Sequence, residues 1–174
     1  VGILYETRKQ KFNQVHAHFP NLLSKLCNEF GVKKLVHVSA LGVKEGHASQ
    51  YIQSKHQGEK NIQNTFKPSV ILRPSVIFGP EDKFFNKFAA LSQFSPALPL
   101  IGGGKTNFEP IYVGDVVQAI VKSLELNNTK PKIYELGGKN YSFKELMQIL
   151  LMEIKKKRFL MPIPFGMAKF QSHF

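Results

Sequence analysis

The sequence predicts an α/β fold with a mostly parallel sheet. Short apolar runs at Lys34 to Ser39, Val70 to Arg73 and Ile133 to Leu136 have the length and β-branched content of strands. The stretches between them are longer, and their apolar residues recur at helical spacing. Strand and helix in alternation imply βαβ units with right-handed crossovers.

The elements follow in order. Gly2 to Tyr5 reads as a short apolar strand, and Phe12 to Phe30 as a helix that Gly31 stops. Lys34 to Ser39 is the next strand, and Gln50 to Phe66 fits a helix better than a strand. Val70-Ile-Leu-Arg73 is a strand closed by Pro74, which pushes the residue before it out of helical geometry. Asp82 is placed to cap a helix running to about Gln93. Ser95 to Pro99 and Gly102-Gly-Gly104 read as an exposed loop. A strand near Pro110 to Val113, a helix from Asp115 to Glu125, a strand at Ile133 to Leu136 and a helix from Ser142 to about Lys157 complete the pattern.

A length of 174 residues suits one domain or slightly more, and an apolar content of 43% is ordinary for a globular chain. No apolar run reaches the ~20 residues of a membrane-crossing helix, and Val1-Gly-Ile-Leu-Tyr5 lacks the charged start of a signal peptide. Cys27 is the only cysteine, so no intrachain disulfide is expected. The formal charge of +12 invites a nucleic-acid reading, but only 3 of the 24 basic residues are Arg and they are scattered, so no nucleic-acid partner is expected. The dense run Lys155, Lys156, Lys157, Arg158 suits a solvated helix end; its alternative is a patch for an anionic membrane surface.

Two motifs lead nowhere. Gly104-Lys105-Thr106 resembles the end of a phosphate loop, but the first glycine of that motif falls on Pro99 and a strand follows it. His16 and His18 are two residues apart on a helix and face different ways, so no metal site is expected.

Tyr51 and Lys55 carry more weight. Tyr5 and Lys9 share their spacing, but Tyr51 and Lys55 lie on a helix, where four residues bring both side chains to one face. A cation there is expected to lower the phenol's pKa. Ser39 ends the strand before that helix. In hydride transfer Tyr51 would act as general acid/base, Lys55 would tune it and hold a nicotinamide ribose, and Ser39 would bind a carbonyl oxygen. The plain alternative is a loop cap, a packed ring and a solvated lysine.

With these residues in place, the chain resembles the atypical extended short-chain dehydrogenase/reductases, the epimerase/dehydratase-like group. Its nearest likeness within that group is the type that serves as an accessory subunit of respiratory complex I, the NADH:ubiquinone oxidoreductase. The resemblance rests on Val1-Gly-Ile-Leu-Tyr-Glu6, Val36-His-Val-Ser-Ala-Leu-Gly42, Tyr51 to Glu59 and Pro110-Ile-Tyr-Val-Gly-Asp-Val116. Its most specific block is Leu72-Arg-Pro-Ser-Val-Ile-Phe-Gly-Pro-Glu-Asp-Lys-Phe-Phe-Asn-Lys-Phe88.

The resemblance implies a Rossmann-like, doubly wound sheet with a small C-terminal substrate-side subdomain, residues 1–80 forming the second half of an NAD(P)-binding domain and 81–174 a mixed region. It implies NAD or NADP as cofactor, with Gly2 beside it, Tyr51 and Lys55 at the nicotinamide ribose, and Pro74, Ser75, Val76 and Ile77 along the nicotinamide ring. Complex I subunits are the implied partners, and mitochondrial matrix or bacterial cytoplasm, at the inner-membrane periphery, the implied location.

No Gly-x-Gly-x-x-Gly turn occurs in the sequence, although that turn holds the pyrophosphate in the family. The chain is therefore expected to enter at the fourth strand, without the first three, and to stop at Phe170-Gln-Ser-His-Phe174 where family members continue. Alone, it is expected to bind NAD(P)H weakly or not at all and to be inactive. Three functions stay open: a complex I accessory or assembly subunit with a structural nucleotide, an epimerase, dehydratase or reductase using Ser39, Tyr51 and Lys55, and a truncated gene product without function.

Overall fold

A computed structural model describes residues 2–164; the closing Phe170 to Phe174 stretch lies outside the described residues. In chain order the elements are α1 (Phe19–Glu29, entered through a π-helical turn at Gln14–His18), β1 (Leu35–Val38), α2 (Gln50–Thr65), β2 (Ser69–Pro74), β3 (Ile77–Phe78), α3 (Phe85–Phe94), β4 (Ala97–Ile101), β5 (Asn107–Phe108), β6 (Ile111–Tyr112), α4 (Val113–Glu125), β7 (Lys132–Leu136), β8 (Tyr141–Ser142), α5 (Phe143–Glu153) and β9 (Phe159–Ile163). They fall into two compact units, one running to Ser75 and resuming over Gly114–Leu136, the other holding Val76–Val113 and the chain from Gly137 onward.

The first unit carries a parallel sheet in the order β1-β2-β7, with Val38 opposite Leu72 and Leu72 opposite Tyr134. Val70, Ile71 and Leu72 of the central strand are at most 1% exposed, as a parallel strand covered on both faces requires. α1 and α2 pack together, and Gly58 sets their approach: a Cβ there would lie 1.8 Å from the carbonyl oxygen of His16. Pro20 has no N–H to give that carbonyl, four residues before it, which fits the π-helical opening of this segment. Asn61 and Asn28 complete the seam, their side-chain amides donating to the carbonyls of Ala17 (3.1 Å) and Thr65 (2.7 Å). Gly31, at φ +62°, ends this helix as the sequence predicts.

Gly2 to Tyr5, expected as a strand, is not one. Among the described residues the sheet offers it no ladder; the N–H of Ile3 donates instead to the ring of His16, and Leu4 and Tyr5 are exposed. A strand exists only where a neighbour completes its hydrogen bonds, and apolar content alone does not supply one.

The second unit is built on short pairs: β3 with β6 and β4 with β9 parallel, β5 with β8 antiparallel. Its core joins Leu98 and Leu100 of β4 to Phe143, Leu146, Met147 and Leu151 of α5, with Phe84, Phe88 and Phe108 packed against them. Ser95 to Pro99 was expected as loop, yet Ala97–Ile101 is a strand that buries alternate residues. Its partner β9 begins at Phe159, too distant in sequence for local signals to register. Asp82 accepts from the N–H of Phe85, the first residue of α3, at 2.6 Å, but the N-cap position itself is Phe84, two residues beyond the expected one. Ser142 and Glu145 cap α5 reciprocally. That helix ends at Glu153 rather than near Lys157, because Lys155 turns to φ +54°. The basic run therefore lies in a connection, where Arg158 is committed to the carbonyl of Ser92 at 2.8 Å.

Candidate functional site

At the carboxyl edge of the first unit's sheet, three backbone bonds continue the strands beyond their ends. Ser39 donates its N–H to Leu72, Leu41 to Pro74 and Ser75 to Leu136, at 2.7 to 2.9 Å. Ser39 and Pro74 are thereby fixed at the end of adjacent parallel strands. The Ser39 side chain is buried and its Oγ has no hydrogen-bond partner among the described residues. Ser69 Oγ at the start of β2 is likewise without a partner among the described residues, so the missing bond does not by itself mark Ser39 as a ligand group.

The loop from Ser39 leads to α2, whose start lies on the same side of the sheet by the topology of a βαβ unit. Tyr51, Lys55 and Glu59 follow one another at single-turn spacing. Glu59 is 1% exposed and is gripped by Arg73 of β2, Nε to Oε1 at 3.1 Å and Nη2 to Oε2 at 2.6 Å. Arg73 also reaches Glu135 of β7 at 3.3 Å. This pair pins α2 to the sheet directly beneath Lys55.

Lys55 is buried, and burial lowers its pKa against the opposing pull of Glu59. Its Nζ stands 5.6 Å from the centre of the Tyr51 ring. The expected depression of the Tyr51 phenol is absent: burial pushes its pKa up. Lys55 lies over the ring, and loss of solvent around the phenolate is the cause of the shift. Gly2 lies beside this pair, a Cβ built on it falling 3.8 Å from Lys55 Nζ and 3.6 Å from His16 Nε2. These are ordinary contacts, so the position is explained and the need for glycine is not.

His16, which the sequence offered only as a failed metal ligand, is an integral part of this cluster. It is 3% exposed, with Nε2 accepting from Ile3 and Nδ1 facing Ser54 Oγ. Burial first, then the charge of Lys55, lowers its pKa to about 4. Glu59 was within reach of the sequence through its spacing from Lys55; nothing local distinguished His16. Of the remaining expected positions, Pro74 and Ser75 stay with the first unit, while Val76 and Ile77 open the second, where Val76 accepts from the N–H of Ile111 at 3.0 Å. Among the described residues no cluster of three or more His, Cys, Asp or Glu could hold a metal, and no helix is long and apolar enough to cross a membrane.

A sequence model of the NAD dependent epimerase/dehydratase family matches residues 4–137, which include all of α2, β1, β2 and β7. The chain belongs to that family. Among its epimerase/dehydratase relatives, the Arabidopsis thaliana protein "NADH dehydrogenase [ubiquinone] 1 alpha subcomplex subunit 9, mitochondrial" is 33% identical over 172 residues, 97% of this chain and 43% of that one. The Mus musculus protein of the same name is 36% identical over 141 residues, 80% of this chain and 37% of that one. The chain thus spans less than half the length of these relatives. The solved UDP-glucuronic acid 4-epimerase from Bacillus cereus superposes with a TM-score of 0.76 at 22% identity, covering 92% of this chain and 58% of the epimerase. That likeness establishes the Rossmann-like α/β fold.

Proposed function

We propose that this chain is the site-bearing part of a nucleotide-binding, dehydrogenase-like accessory subunit of respiratory complex I, with NAD or NADP as a structural group. The observation that carries the nucleotide reading is Lys55, a buried cation next to Tyr51 and Gly2 and pinned from below by Glu59 and Arg73. A buried lysine is costly unless something negative or hydroxyl-rich meets it. The ribose of a dinucleotide would meet it through Lys55 and Tyr51, and Ser39 Oγ, without a partner among the described residues, would serve the nicotinamide side with Pro74 and Ser75. The bound group would supply hydride chemistry. The raised phenol of Tyr51 favours a holding role over turnover.

The two mitochondrial subunits named above support the assembly side of this reading, and with it a place at the matrix face of the inner membrane or the equivalent bacterial cytoplasmic surface. Lys155, Lys156 and Lys157 would face anionic lipid there, Arg158 being held by Ser92. Charge reversal of the three lysines should abolish binding to anionic vesicles; unchanged binding would remove this part. For the subunit itself, a tagged chain expressed in its source cells should co-purify with complex I in mild detergent. Its absence from the purified complex would refute the proposal.

A second reading, an NAD(P)-dependent epimerase, dehydratase or reductase, is favoured by Ser39 Oγ, a buried hydroxyl suited to a substrate carbonyl oxygen. It requires turnover that Tyr51→Phe abolishes.

A further inference from the structure

We infer that His16 is a positioning residue for Tyr51, tying Ile3, the π-helical turn and the first turn of α2 together through one fixed tautomer. What Tyr51 is positioned for rests on the nucleotide reading above; the positioning itself does not.

The tautomer follows from hydrogen-bond directions. The N–H of Ile3 donates to Nε2 at 3.0 Å, so Nε2 is an acceptor and carries no proton. The proton of the neutral ring is then on Nδ1, which donates to Ser54 Oγ at 3.0 Å. Ser54 Oγ passes the direction on, donating to the carbonyl of Tyr51 at 2.8 Å. Each group in this chain has one orientation that satisfies its neighbours, and the chain ends on the backbone of Tyr51 itself.

The ring also forms a wall. His16 stands perpendicular to the Tyr51 ring at 5.3 Å between centroids, and stacks on Phe12 at 5.5 Å and 21°. Phe12 meets Tyr51 edge-on at 5.8 Å. Tyr51 therefore sits between a Phe12–His16 platform and the ammonium of Lys55. The platform's own placement comes from Gly58, which admits the His16 carbonyl against α2. His16 is not a proton carrier. Both ring nitrogens are engaged, and a second proton would break the bond from Ile3 and set a cation beside Lys55, with His37 of β1 the further titratable neighbour.

The test is made on the full chain without nucleotide. Long-range ¹H–¹⁵N spectra of the histidine rings should assign His16 as the neutral Nδ1–H tautomer; an Nε2–H ring, or rapid averaging of the two, would overturn the inference. The tyrosine ultraviolet titration, with Tyr51→Phe subtracted to isolate Tyr51, gives the second readout. In His16→Ala the Tyr51 phenol should titrate lower than in the parent, as its burial is relaxed, and a folded His16→Ala with an unmoved Tyr51 would sink the idea. Should His16→Ala fail to fold, Phe12→Leu thins the same platform and should move Tyr51 in the same direction by less; an unmoved phenol there overturns it equally. Neither measurement involves NAD(P)H, so failure of nucleotide binding and failure of this role are separable.

Discussion

Arg73 holds the carboxylate of Glu59 through two hydrogen bonds, 3.1 and 2.6 Å, with Glu59 1% and the Arg73 side chain 16% exposed. The guanidinium stays protonated, its pKa raised first by that bond. Removing one member of such a pair strands the other, at about 3–5 kcal/mol. Arg73→Ala should therefore lower unfolding free energy by that order in urea titration, because it leaves Glu59 charged and buried. Glu59→Gln should cost less, since Arg73 keeps Glu135 at 3.3 Å and some solvent. Equal losses for the two variants would show that burial of Glu59 is not the determining factor.

Lys55 is the residue on which nucleotide affinity should turn. By itself the 174-residue chain is expected to bind NADPH weakly or not at all, because its sequence holds no Gly-x-Gly-x-x-Gly turn to bind a pyrophosphate. Extended with a glycine-rich first half of the family, it should bind, and Lys55→Ala should weaken binding about tenfold or more, the worth of a charge-assisted hydrogen bond of roughly 1.5–3 kcal/mol. Fluorescence titration with NADPH decides both. Saturable micromolar binding by the short chain would contradict the first expectation, and an unaltered Kd for Lys55→Ala the second.

What the sequence makes legible around the candidate site is local placement, and the reasons for the rest are physical. That Ser39 follows a strand, that Tyr51 and Lys55 share one helix and that a strand ends at Arg73-Pro74 each depend on local periodicity or a local stop. The helix stop at Gly31 is legible for the same reason, whereas the cap of α3 falls on Phe84 and not on Asp82. β4 was missed because its partner β9 lies beyond α5, and Gly2 to Tyr5 was misread because a strand needs a neighbour that composition does not reveal. The direction of the Tyr51 shift was misjudged because spacing gives the distance of a cation but not the solvent lost around a ring.

Acid should destabilise this protein at milder pH than carboxylate titration alone predicts. His16 and His37 both have pKa values of about 4 in the folded state, burial being the first cause for each and Lys55 the second, against an ordinary 6.5. Below pH 6.5 the unfolded chain takes up protons that the folded chain refuses, so stability falls as pH drops from 6.5 to 4 and is level above that window. For His16, at 3% exposure, the loss reaches at most roughly 3 kcal/mol by pH 4 at 1.36 kcal/mol per unit. Urea midpoints measured across this range should fall with pH, and His16→Phe should flatten part of the slope. A parent midpoint constant from pH 7 to 4.5 would contradict the burial of His16 and the partial burial of His37.

Gly58 should be the least replaceable glycine of the first unit. A Cβ there would meet the His16 carbonyl oxygen at 1.8 Å, and both atoms belong to helix backbones that cannot swing aside. Gly58→Ala gains helix propensity of up to ~1 kcal/mol, but it must force α2 from the π-helical turn, and overpacking of a seam costs typically 1–3 kcal/mol or more. The net expectation is a destabilised chain. Because the displaced carbonyl is that of His16, the bonds from Ile3 and to Ser54 should loosen with it, so Gly58→Ala should also raise amide exchange at Ile3. Gly2→Ala is the control, its nearest contacts lying at 3.6 and 3.8 Å, and it should leave the urea midpoint unchanged. A Gly58→Ala variant as stable as Gly2→Ala would mean that the helices are not held at this distance.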